Sequence, residues 1–256
     1  PERVTKLLTG TANLEFWTTF ENAEVLPYLD QANSLLKDIL TYETPLFTGE
    51  GTQETAGTQE GQAATSLFEE QEDTTEIRLF DEDTTAVDMQ EEQIKRENPL
   101  FSVLIPYLDQ NRQAVPGSVA GLAAIKDTAK VNHYLSMPQV KALFPAELDF
   151  YWHNKPMADN EGYIQLHALK ASRERGAALS GRYVTDARMA FGQFKGEAEV
   201  YMSMNAEGAK RWANLTRENI GRCIAIMLDG YVVSAPVVKS EIKGGGSTIS
   251  GNFTQL

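Results

Sequence analysis

Residues 197–254 read EAEVYMSMNAEGAKRWANLTRENIGRCIAIMLDGYVVSAPVVKSEIKGGGSTISGNFT, and their pattern decides the fold class. Ala198, Val200, Met202 and Met204 alternate with Glu197, Glu199, Tyr201 and Ser203, the period of a half-buried strand. Asn205 stands where a helix N-cap belongs. Ala209, Trp212, Ala213 and Thr216 then recur at i, i+3, i+4 and i+7, one face of an amphipathic helix. Gly221 offers a left-handed stop after that helix. CIAIML at 223–228 is apolar on both faces, as a central strand is. Asp229-Gly230 fits a two-residue type I′ turn, and YVVSAPVV returns as a strand whose Pro236 favours an edge. The three glycines 244–246 turn the chain into STIS. The order β-α-β-β-β, with one helix on an antiparallel sheet, defines an α+β layer.

Working outward, the N-terminal segment repeats the theme. Residues 1–8 have a helical pattern, LEFW at 14–17 begins a strand, and DQANSLLKDIL at 30–40 carries the apolar stripe of a helix. Farther on, LFSVLIPYL at 100–108 is apolar and β-prone. Helices are predicted at 127–135 and from Pro138 onward, and strands at 148–152 and 163–169. PYLDQ occurs at both 27–31 and 106–110, and a helix feeding an L-acid-F-aromatic strand occurs at 3–17 and again at 139–152.

The net charge of −13 comes almost wholly from one segment. Residues 50–97 hold 15 Asp/Glu against 3 Lys/Arg, which leaves 21 acidic and 20 basic residues elsewhere. The body is nearly neutral and has no basic patch for nucleic acid. Residues 41–97, with GTQE at 51–54 and 57–60, contain few large apolar side chains and read as an acidic low-complexity insert. It lacks the spacing of a calcium loop. No apolar run approaches a membrane span. The first and last residues read as the edges of an excised domain, with Pro1 at a helix start and Thr254 at a helix cap.

Catalytic signals are absent from the sequence. His133, His153 and His167 match no zinc spacing, and there is no nucleophile elbow or phosphate loop. Glu197 and Glu199 share a solvated strand face. Gly244–Gly246 reads as a turn. The lone Cys223 has the position of a small buried residue. The reading is therefore non-enzymatic, with no catalytic residues, metal or cofactor. Aromatic residues gather in the middle region: Phe101, Tyr107, Phe150, Tyr151 and Trp152. Tyr151 must face the opposite way from its two neighbours on a strand. Phe101, Tyr107, Tyr151 and Trp152 are the candidates for contact with an extended polypeptide.

LTRENIGRCIAIMLDGYVVSAPVVKSEI at 215–242, with STISGNFT at 247–254, resembles the first large periplasmic domain of SecD or of a fused SecDF. TGTANLEF at 9–16 and YVTDARMAFGQF at 183–194 match two further segments in the same order. The resemblance implies a ferredoxin-like base lobe from residues 1–20 and 182–256, with an inserted α+β head lobe at 21–181. Phe20, Glu21, Ser180, Gly181 and Val184 would then lie at a two-stranded hinge. It also implies assistance to proton-driven export at the periplasmic side of the bacterial inner membrane, with an unfolded preprotein, SecF and the SecYEG translocon as partners. Two other readings remain open: a structural docking domain for partner subunits, and a hydrolase with a carboxylate site in the head.

Overall fold

The computed structural model describes residues 13–43, 92–172, 176–191 and 198–253. The expected helix at 1–8, the cap at Thr254 and most of the acidic insert lie outside these residues. The described chain is α+β, with antiparallel strand pairing in two sheets.

Strand β1 (Leu14–Thr19) leads into helix α1 (Asn22–Glu43), which starts eight residues before the apolar stripe at 30–40. Two buried asparagines on α1 hold the next segment. Asn22 Nδ2 donates to the Tyr107 and Val115 carbonyls at 2.6 and 3.3 Å. Asn33 Oδ1 accepts from the Leu100 and Phe101 amides at 3.0 and 3.3 Å. Residues 98–104 therefore form turns, where the sequence reading has a strand. Leu100 and Leu104 are fully buried under α1, and only Ile105–Pro106 (β2) pairs in the sheet.

Strand β3 (Val119–Ala124) is built of small residues with weak β-propensity, and the sequence pattern misses it. Its Gly121 explains the choice: a Cβ there would sit 2.9 Å from both the Ile105 carbonyl oxygen and Leu104 Cδ1. After α2 (Thr128–Ser136) and α3 (Pro138–Lys141), β4 (Leu148–Trp152) and β5 (Tyr163–Lys170) form an antiparallel pair. Next come β6 (Leu179–Ser180), β7 (Val184–Phe191), β8 (Ala198–Met204), α4 (Ala206–Glu218), β9 (Ile224–Leu228), β10 (Tyr231–Ser234) and β11 (Gly246–Phe253).

The cap and turn signals in 197–254 hold, whereas the return strand expected over 231–238 ends at Ser234. Asn205 Oδ1 accepts from the Gly208 amide at 2.8 Å, Gly221 has φ +82°, and Asp229-Gly230 have φ +50° and +86°. The four strands do not share one sheet, however. β9 and β10 join β1, whereas β8 and β11 pair with each other and with β7. Helix α4 packs between the sheets: Trp212 lies 5.1 Å from the Phe16 ring and its Nε1 donates to Ser247 Oγ at 2.8 Å.

Strand pairing also closes on itself. β5 pairs with β4 on one edge and β1 on the other; β1 pairs with β9, and β9 with β10. His153 then bridges Val232, and the Asn154 amide donates to the Val232 carbonyl at 2.8 Å. This completes a five-strand ring β4-β5-β1-β9-β10. Trp17, Tyr151, Leu169, Ala225, Met227 and Val232 form the cluster inside it. The alternate residues of the same strands face two outer cores. One contains Val25, Leu29, Leu36, Leu104, Val131 and Leu166, all from 21–181. The other contains Phe16, Met202, Trp212, Ile224 and Ile226.

Gly181 packs so closely on β1 that a Cβ would meet Leu14 Cβ at 2.5 Å, whereas nothing lies within 4 Å of a Cβ at Gly244. Gly181→Ala is expected to lower the urea unfolding free energy by about 1–3 kcal/mol. Gly244→Ala should change it by less than about 0.5 kcal/mol. Equal effects of the two would contradict this packing.

Candidate functional site

The expected polypeptide-contact residues do not form one patch. Phe101, Phe150 and Trp152 are half-buried against the core beneath α1–α3. Trp152 Nε1 donates to Asn132 Oδ1 at 2.9 Å. Tyr151 faces the other way, as alternation requires, and meets Trp17 inside the ring at 5.5 Å between centroids. Burial, with Asp149 and Glu15 nearby, raises its hydroxyl pKa. Tyr107 is half-buried on the loop fastened by Asn22.

The residues expected at the crossing lie along β1 and its neighbours, except Val184, which opens β7 in the other sheet. The Phe20 amide donates to Ala168 O at 3.1 Å. Glu21 Oε2 accepts from the Gly117 amide at 2.8 Å. Ser180 pairs with Glu15, and Val184 with Met204. Nearby, Glu24 and Arg222 meet at 2.7 Å across the two parts of the chain. Partial burial acts to raise the Glu24 pKa, but the Glu21 amide and Arg222 outweigh it and leave the carboxyl below its usual range.

At one end of the ring the interior opens into a cavity of about 450 Å³, lined by 116–119, 153–155, 165, 167, 223, 233–235 and 237. Its walls come from both sides of the closure: β5, the segment after β4 and the one leading into β3 on one, and Cys223 with the end of β10 and the segment after it on the other. The sequence reading treats its histidines as ordinary core or surface residues, because they come from separate strands with no ligand spacing. The His153 and His167 rings lie 5.5 Å apart. His167 is 3% exposed, and its Nδ1 lies 3.0 Å from Ser118 Oγ. Burial, reinforced by neighbouring His153, depresses its pKa to about 3. His153 is also lowered, by burial and by Lys155. Cys223 is raised by burial and by Glu21, offset in part by the Ser118 amide. Both imidazoles are therefore neutral at pH 7, and the thiol stays protonated. His167 Nε2 and His153 Nδ1 are buried without a hydrogen-bond partner. Among the described residues no cluster of three His, Cys, Asp or Glu is placed to hold a metal, and no helix is long and apolar enough to cross a membrane.

The geometry defines the class: an α+β domain whose two outer cores share a closed strand ring. The family model for the SecDF P1 head subdomain matches residues 163–256. The protein translocase subunit SecD of Rhodothermus marinus is 36% identical over 98% of this chain and 35% of its own length. SecDF of Thermus thermophilus is 45% identical over 28% of this chain and 10% of its own. Two solved SecDF structures also match. One, in a super-membrane-facing form, is 41% identical over 32% of this chain and 11% of that chain, with TM-score 0.28. The other, described as a membrane component that enhances protein export, is 21% identical over 94% and 86%, also with TM-score 0.28. The 36% identity along almost the whole chain, with the family-model match, puts the chain in the SecD/SecDF family. Within that family it corresponds to the first periplasmic domain. The chain spans about a third of the Rhodothermus protein's length and less of the Thermus protein's.

The pH response of folding tests the buried imidazole. His167 has a folded pKa of about 3 against an ordinary 6.5, so the native state binds fewer protons than the unfolded chain between those values. Its contribution is intact above pH 6.5 and is lost as pH falls, by up to about 1.4 kcal/mol per pH unit. Denaturation at pH 7 and pH 4.5 should show a larger loss for the parent chain than for His167→Gln. Equal losses would contradict a neutral, buried His167.

Proposed function

We propose that this chain is the periplasmic domain of a translocase accessory subunit that binds emerging preprotein and assists proton-gradient-driven export through movement of one lobe. The observation that carries the reading is the 36% identity along almost the whole chain to a protein translocase subunit SecD. A SecF-type subunit and the SecYEG translocon would be its partners, at the periplasmic side of the bacterial inner membrane. No catalytic step is part of this reading.

In this proposal residues 1–20 and 182–256 are a ferredoxin-like base lobe, and 21–181 are the inserted head. The separation of the two outer cores supports the division, since one draws its residues from 21–181 and the other largely from the remainder. The family model's head subdomain overlaps the inserted lobe only at 163–181. Strand pairing between the lobes is short. β1 shares two residue pairs with β5, Thr18 with Lys170 and Thr19 with Leu169, and two with β6, Glu15 with Ser180 and Phe16 with Leu179. The end of β4 meets β10 at a single bridge. The exposed Glu24–Arg222 pair adds at most about 1 kcal/mol. The apolar ring cluster also crosses this seam, with Trp17 and Met227 on one side and Tyr151 and Leu169 on the other, so rigid-body movement there would have to repack it.

Preprotein contact would fall on the head, with Tyr107 and Trp152 as reporters. Photoreactive residues at both positions, in the membrane-embedded parent with an export substrate arrested in transit, are expected to crosslink to that substrate. Crosslinks only to other membrane subunits would favour the docking-domain reading, and silence at both would overturn this choice of surface.

A further inference from the structure

The cavity at the mouth of the strand ring has a composition the translocation reading does not use. No Asp or Glu of the described residues lines it, although the chain carries 36 acidic residues against 23 basic ones. Its one charged lining group is the exposed Lys155. Two imidazole nitrogens, His167 Nε2 and His153 Nδ1, lack partners there, and a buried unpaired polar atom is costly unless something satisfies it. When Ser118 Oγ–H donates to His167 Nδ1 across 3.0 Å, the ring keeps its proton on Nε2, which becomes a donor. Opposite these groups, Val233, Ala235 and Val237 supply an apolar wall.

We propose that this cavity binds a carboxylate-bearing ligand. The Lys155 ammonium is its counter-charge, the Nε2–H of His167 is its hydrogen-bond donor, and the valine wall takes a short alkyl portion. A cation with a neutral donor and no acid among the lining residues suits a carboxylate, and the Glu21 carboxylate behind the wall is already held by the Gly117 amide. The carboxylate can belong to a small organic acid or to a polypeptide, as a side chain or chain end; the chemistry at the cavity is the same. Because His167 comes from β5, His153 and Lys155 from the segment after β4, and the wall from the end of β10 and the residues after it, a bound ligand spans the seam between the lobes. The assignment stands apart from the export reading, since it concerns the cavity and needs no crosslink to preprotein.

The test is titration of the 15N-labelled 256-residue chain, read at the imidazole nitrogens by long-range 1H–15N NMR, with the signals assigned from His153→Gln and His167→Gln. The probes are butyrate, butyramide, a capped hexapeptide with one Glu, and its Gln counterpart with a free C-terminal carboxylate. At least one carboxylate probe should shift the His167 ring signals saturably. Butyramide should bind about tenfold more weakly or not at all, and Lys155→Met, at an exposed position, should weaken the carboxylate about tenfold. Binding of butyrate alone assigns the site to a small acid, and binding of either peptide assigns it to polypeptide carboxylates. The proposal is overturned if no carboxylate gives saturable shifts up to about 50 mM, if butyramide binds as well, or if Lys155→Met binds unchanged.

Discussion

Backbone amides and carbonyls inside a protein must find partners, and β1 satisfies this requirement on both edges at once. Residues Leu14–Thr18 pair with β9, Glu15 and Phe16 with β6, and Thr18 and Thr19 with β5. Because successive side chains alternate, Phe16 enters the outer core under α4 while Trp17 fills the ring. One hexapeptide thus belongs to two packing environments, and the position of each core depends on the other through six residues of backbone. The close fit of Gly181 on Leu14 follows from the same constraint.

The ring accounts for the chemistry at its mouth. Strand alternation sends Tyr151 and Leu169 inward to the apolar interior, while His153, just past β4, and His167 on β5, both further toward the open end, line the cavity. Burial there costs charge, so both imidazoles are held neutral. The consequence is a polar but uncharged floor beneath a lysine rim, drawn from positions 118, 153, 155 and 167. If the lobes move, this is the place whose shape changes most directly, since its walls belong to both.

Local signals were most reliable where backbone conformation is chemically dictated. Asn205 caps because its short side chain reaches the Gly208 amide. Asp229-Gly230 turn because that pair accepts positive φ. LDFYW at 148–152 and YIQLHALK at 163–170 became strands, with Phe150 and Tyr151 on opposite faces as a period of two demands. Such signals lose authority where tertiary contacts compete. LFSVL looks like a strand, yet Asn33 captures its amides and turns it. VAGLAA has no strand signature, yet Gly121 lets it pass against Leu104. PYLDQ is helical at 27–31 and strand and turn at 106–110, so five identical residues take two conformations under different neighbours.

Sequence by itself determined the α+β class, the order of elements in 197–254, the confinement of the acidity to one segment and the family resemblance. Each of these rests on chemistry between near neighbours or on a long colinear match. Tertiary structure alone decided that β8 and β11 leave the sheet of β9 and β10, that β4 closes on β10, and that two histidines, a serine and a lysine meet at one cavity. These outcomes depend on which strand edges find each other. A strand's pattern states which face is buried, and leaves its partner to be settled by the packing of the whole chain.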